Sequence, residues 1–86
     1  MFKSISIIYP VYNEEKRLQK TFLDIEKFEQ KNRFINKEFI FVNDGSSDKT
    51  LIILKKKYKN NKKIKIINLK KNMGKGFALK KGVQTA

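Results

Sequence analysis

The sequence contains no cysteine, no histidine and no tryptophan, and only one proline. Without cysteine, disulfides and thiolate metal sites are excluded. Without histidine, imidazole bases, Ser-His pairs and the commonest zinc ligands are excluded as well. Any catalytic acid, base or metal ligand must come from the eight carboxylates or from hydroxyl and backbone groups. No apolar run approaches the ~20 residues that a membrane-spanning helix needs. The longest are Ile5–Tyr12, interrupted by Ser6 and Pro10, and Phe39–Val42, both strand-sized. The opening Met1-Phe2-Lys3-Ser4 has no signal-peptide h-region, so a cytoplasmic location is expected. Low-complexity linkers and internal repeats are missing too, and 86 residues at 40% hydrophobic content support one small domain.

Acid is absent from the whole second part of the chain. Residues 1–50 hold nine Lys/Arg and all eight Asp/Glu, a net of +1, whereas residues 51–86 hold twelve Lys and no acid, a net of +12. Such a field attracts phosphate, whether on nucleic acid, lipid headgroups or a nucleotide. Solvated lysines on helix faces would give the same count. No aromatic RNP-type motif and no arginine-rich recognition helix accompanies the lysines, so a nucleic-acid partner is not expected. A basic nucleic-acid-binding module is nevertheless the alternative class.

What is present is a threefold alternation. Ser4–Tyr9 is short and β-branched, and Pro10 is expected to stop it as a buried strand. Leu18, Phe22 and Ile25 then recur at i, i+4 and i+7, which predicts an amphipathic helix over roughly residues 14–30 with Glu14 and Glu15 in its first turn. Glu38–Val42 reads as a second strand running into Asn43-Asp44-Gly45-Ser46-Ser47-Asp48, a turn and capping signal. Leu51, Leu54 and Tyr58 mark a second helix, and Ile64–Leu69 a third strand. Asn72–Gly76 turns into a third helix, with Leu79 and Val83 expected to face inward. Strands alternating with helices imply right-handed crossovers and a parallel sheet covered on both faces, an α/β fold. Functional groups of such sheets gather beyond the carboxyl ends of the strands. Three polar segments are delivered there: Pro10–Glu14, Asn43–Asp48 and Asn72–Gly76.

Familiar phosphate fingerprints do not fit. The first strand is not followed by G-x-G-x-x-G, and Gly74-Lys75 is followed by Gly76 instead of the Ser or Thr of a P-loop. The chemistry of the three segments is suggestive all the same. Pro10 lacks an N–H and leaves carbonyls free to meet a base, Tyr12 can pack on a base or ribose, and Glu14 can accept from ribose hydroxyls. Asp44 can accept the imide N–H of a uracil, and Lys75 between two glycines can hold a diphosphate together with backbone N–H groups. Each has a structural alternative. Pro10 can be a strand terminator, Asn13 an N-cap, Glu14 a dipole-complementing acid and Lys75 a surface lysine. Asp44 can form an Asx-turn around Gly45, with Ser47 or Asp48 capping the next helix.

The combination is more specific. Ser-Ile-Ile-Tyr-Pro-Val-Tyr-Asn-Glu-Glu-Lys-Arg-Leu, Phe-Val-Asn-Asp-Gly-Ser-Ser-Asp-Lys-Thr and Lys-Asn-Met-Gly-Lys-Gly-Phe-Ala resemble, in order and spacing, the family 2 glycosyltransferases. Within them, the Asn-Glu-Glu-x-Arg-Leu and Gly-Lys-Gly-x-Ala segments look most like dolichyl-phosphate glucosyltransferases and their polyprenyl-phosphate relatives. The resemblance implies the GT-A fold, a Rossmann-like sheet that binds a nucleotide sugar, with residues 1–86 as its N-terminal half-domain. It implies nucleoside contacts from Pro10, Tyr12, Glu14, Val42 and Asp44, with Lys75 near the diphosphate. It implies transfer of glucose from UDP-glucose to a polyprenyl phosphate at the cytoplasmic face of a membrane, or of mannose from GDP-mannose in the near alternative. Asn43 stands where many relatives have a first aspartate. The family's Asp-x-Asp, which holds a divalent Mg or Mn, and its acceptor-activating base are expected to lie after the third helix. By that resemblance, no catalytic residue or metal ligand falls within this chain, and it is expected to be a truncated and inactive portion of a larger transferase.

Overall fold

A computed structural model describes residues 4–86; Met1, Phe2 and Lys3, part of the opening read for a leader, lie outside them. Six elements alternate along the chain: β1 (Ser4–Val11), α1 (Leu18–Lys31), β2 (Asn36–Asp44), α2 (Thr50–Lys57), β3 (Ile64–Leu69) and α3 (Lys75–Thr85). The strands are parallel in the order β1-β2-β3, with Ile8 opposite Ile40 and Val42 opposite Ile67. β2 is therefore the central strand, and every residue from Phe39 to Asp44 is buried. That explains its near-continuous apolar run, since both of its faces are covered.

Alternation along the strands divides the core. Val11, Phe39 and Phe41 face one side, where Leu18, Phe22 and Ile25 of α1 and Leu54 of α2 close over them. The rings of Tyr9, Phe41 and Tyr58 form a stacked row there, with centroids 5.2 and 5.7 Å apart. Burial pushes the Tyr58 phenol up to about 12, assisted by the negative charges of Glu26 and Glu29. On the other side, Ile40 and Val42 meet Ala78 of α3. The buried ammonium of Lys37 donates to the carbonyls of Asn32 (2.9 Å) and Ile35 (3.4 Å), which closes the turn after α1.

Three expectations are corrected. Pro10 does not stop β1, which runs on to Val11; β1 has a strand on one side only among the described residues, and an edge tolerates a missing N–H. α1 starts at Leu18, because residues 14–17 form a separate turn in which the N–H groups of Arg17 and Leu18 share the Glu14 carbonyl at 2.8 and 3.1 Å. Glu14 and Glu15 thus precede the helix. In α3 the inward residues are Ala78 and Gly82, whereas Leu79 and Val83 are 38% and 64% exposed. A Cβ at position 82 would fall on the side chain of Ile8, so this helix meets the sheet through its smallest residues. Among the described residues no helix is long and apolar enough to cross a membrane.

Candidate functional site

The carboxyl ends of the three strands deliver three loops to one rim, and side chains stitch them together. The first seam joins the loop after β1 to the loop after β2. Asn13 adopts φ 50°, a left-handed conformation that asparagine tolerates better than most residues. Its Oδ1 accepts the N–H groups of Ser47 (2.8 Å) and Asp48 (3.3 Å), while its own N–H donates to Ser46 Oγ (2.9 Å). The N–H of Glu14 donates to Thr50 Oγ1 (2.9 Å) and that of Glu15 to Asp48 Oδ2 (3.2 Å). Asp48 also accepts the Thr50 N–H at 2.9 Å, the first amide of α2, but neither Ser47 nor Asp48 is the cap: the N-cap residue is Lys49, which makes no side-chain cap hydrogen bond. Partial burial pushes the Asp48 carboxyl up, but the hydrogen bonds from Thr50, Glu15 and its own backbone prevail and hold it below the usual carboxylate range.

The second seam joins the loop after β2 to the loop after β3. Asp44 is buried, and its carboxylate accepts the N–H groups of Met73 (2.7 Å) and Gly74 (3.0 Å). Asn72 Nδ2 donates to the Asp44 carbonyl (3.3 Å), and Asn43 Nδ2 to Asn68 Oδ1 (2.9 Å). Gly45, at φ 68°, lies between them; a Cβ there would overlap the backbone of Lys71 and Asn72. Instead of an Asx-turn around Gly45, Asp44 forms a bridge between loops.

Between the seams opens a cleft of about 350 Å³, lined by Pro10, Val11, Tyr12, Glu14, Asp44, Asn72, Gly74 and Lys75. Small-molecule sites begin at about this size. Five of the six residues singled out from sequence converge here: Pro10, Tyr12, Glu14, Asp44 and Lys75. Val42 does not line it; its side chain is fully buried against α3. Tyr12 is 48% exposed, so its ring is available as a stacking surface. Glu14 lies 3.8 Å from Arg17 in an ion pair open to water. Lys75 is the first residue of α3, where unpaired N–H groups and the positive end of the helix dipole coincide with its ammonium.

Asn72 and Gly74 were not singled out as site residues. Their signal was the turn composition of Lys71-Asn72-Met73-Gly74, which marks a loop but not which loop it leans on. Donors and acceptors of the cleft suit an anion with a hydrogen-bonding ring. They do not fit a divalent metal. Among the described residues no three carboxylates gather, and both Asp44 oxygens face N–H donors rather than a cation.

Residues 6–86 match the sequence model described as Glycosyl transferase family 2. The chain belongs to this family. It is 44% identical over 82 residues to an uncharacterized glycosyltransferase of Synechocystis sp., covering 95% of this chain and 26% of that protein. It is 38% identical over 88 residues to the human dolichyl-phosphate beta-glucosyltransferase, covering 94% of this chain and 27% of that one. Among solved structures, Staphylococcus aureus TarS 1-349 in complex with UDP-GlcNAc superposes with a TM-score of 0.79 at 30% identity, over 98% of this chain and 24% of TarS. The family 2 chain described here therefore spans about a quarter of the length of these relatives. Its three parallel strands alternating with helices form the Rossmann-like GT-A arrangement that the resemblance implied.

Proposed function

We propose that this family 2 chain is the donor-recognising front of a transferase that moves glucose from UDP-glucose to a polyprenyl phosphate. The observation that carries the reading is the convergence of Tyr12, Asp44 and Lys75 on one cleft, three residues from three successive strand-to-helix junctions far apart in sequence. Tyr12 provides a face for the base, and Asp44 an acceptor for its imide N–H. Glu14 accepts from the ribose. Lys75 and the first turn of α3 take the diphosphate. Pro10 completes the wall beside the base. Val42 stays in the core with Ile40 and Ala78 and does not reach the donor.

The names of the relatives support the substrate classes: one is a dolichyl-phosphate glucosyltransferase, and TarS is described with UDP-GlcNAc. A lipid-phosphate acceptor places the reaction at a membrane, on its cytoplasmic side in this reading, and the twelve acid-free lysines of residues 51–86 suit an anionic surface there. The divalent metal expected of the family would neutralise the leaving diphosphate. What these residues do is recognise and orient the donor.

NMR titration of the 86-residue chain with UDP, GDP and ADP tests the reading. UDP is expected to shift the amides of Tyr12, Asp44 and Lys75 at the lowest concentration. A preference for GDP would favour a mannosyl donor, and equal shifts with all three would sink base recognition altogether.

A further inference from the structure

Asp44 was read from sequence as a group that meets the base, yet its nearest partners in the fold are elsewhere. It ends the central strand β2, is 3% exposed, and gives one carboxylate oxygen to the Met73 N–H at 2.7 Å and the other to the Gly74 N–H at 3.0 Å. Gly74 is the N-cap of α3 and Lys75 its first residue, and no side chain caps that end by hydrogen bond. The turn is held from a second point by Asn72 Nδ2 on the Asp44 carbonyl. Gly45 admits the backbone of Lys71 and Asn72 to a distance that any Cβ would block. The whole approach to α3 is thus fastened to residues 44 and 45.

A carboxylate has about four acceptor sites, and the two N–H groups occupy one on each oxygen. The remaining sites are available to a donor in the cleft, which Asp44 lines. We propose that Asp44 is a positioning residue that couples the base end of the cleft to the phosphate end, by fixing the Gly74–Lys75 turn with the same carboxylate that a base N–H engages. The coupling rests on the nucleotide reading of the cleft; the fastening of the turn does not. Removing the charge at residue 44 therefore weakens contacts to phosphate that Asp44 never touches, because Lys75 and the first N–H groups of α3 lose their fixed aim.

The test uses Asp44→Asn in the 86-residue chain, with amide exchange read in the absence of nucleotide and affinities for uridine and for UDP read by NMR. Exchange at Met73 and Gly74 is expected to rise about tenfold or more, as for loss of a hydrogen bond to a charged group, with Phe41 unchanged. Affinity for UDP is expected to fall further than that for uridine, so that their ratio shrinks. Gly45→Ala, which leaves the carboxylate intact but displaces the same turn, is expected to shrink that ratio too, and it serves if Asp44→Asn does not fold. An equal loss for uridine and UDP would overturn the coupling and leave a base contact alone. Unchanged exchange at Met73 and Gly74, or a rise spread over the whole chain, would overturn it as well. If the unmutated chain binds neither uridine nor UDP, the nucleotide reading falls and the coupling with it, whereas the other outcomes leave that reading standing.

Discussion

Asn13 and Ser47, thirty-four residues apart, are joined by a 2.8 Å hydrogen bond from the Ser47 N–H to the Asn13 side-chain oxygen. The same oxygen takes the Asp48 N–H, and Asn13 can reach both because its backbone sits at φ 50°. Together with the Glu14 and Glu15 N–H groups on Thr50 and Asp48, this residue fixes the mutual position of the first two loops of the rim.

Asn13→Ala is expected to destabilise the chain by about 1–2 kcal/mol, combining one net hydrogen bond with the cost of a Cβ-bearing residue without local bonding at positive φ. Asn13→Gly removes the side-chain hydrogen bonds but tolerates the backbone, so its loss should be smaller. Urea midpoints of the two variants give the order. A larger loss for glycine would mean that the positive φ contributes no strain.

Gly82→Ala sets two effects against each other. Alanine improves helix propensity by about 1 kcal/mol. Its Cβ, however, lands on the Cγ2 methyl of Ile8, a β-branched side chain that cannot swing away freely, and overpacking of that kind costs about 1–3 kcal/mol. A net loss of stability is expected, with the α3 resonances shifted most. A gain would show that α3 can lift from β1 at little cost.

Acid should loosen the first seam. Asp48 is held below its ordinary value of 3.8, so its contribution is complete above that value and is lost as pH falls through the lower folded one. Glu38, lowered by hydrogen bonds from Ser6 and then Lys65, acts in the same direction. Comparing urea midpoints at pH 6 and pH 3, the unmutated chain should lose more than Asp48→Asn does. Identical losses would remove Asp48 from the account.

Lys75→Ala is expected to lower UDP affinity by about threefold to tenfold while leaving uridine affinity unchanged, the low end of a charge-assisted contact because the lysine is exposed. Raising the salt concentration should narrow the difference. A matching loss for uridine would place Lys75 at the base instead of the phosphates.

The order of elements was legible in the sequence because it rests on local pattern. Leu18, Phe22 and Ile25 line up on α1 as their spacing requires, and Phe39–Val42 fill the central strand. The three rim segments were legible too, since turn residues after strands of a parallel sheet have one place to go. Periodicity located α3 but not its buried stripe. Leu79 and Val83 were the larger apolar residues, yet contact with β1 and β2 selects Gly82 and Ala78 because the closeness of helix and sheet is a non-local fact. Asp44 and Gly45 illustrate the same limit: their partners Met73, Gly74 and the Lys71–Asn72 backbone arrive from another loop, and no spacing within residues 43–48 announces them. Asn13 was weighed as a helix cap, and its bonds instead reach 34 and 35 residues ahead.

The loop after β2 takes part in both seams and grows from the buried Phe39–Asp44 end of the central strand. Its conformational entropy is surrendered when the chain folds. A ligand entering the cleft meets a wall already in place and gives up little further freedom in ordering it. Association should accordingly be fast and accompanied by small changes in backbone order parameters at Asn43–Thr50, with most of the residual adjustment confined to the side chains of Tyr12 and Lys75, which remain open to water.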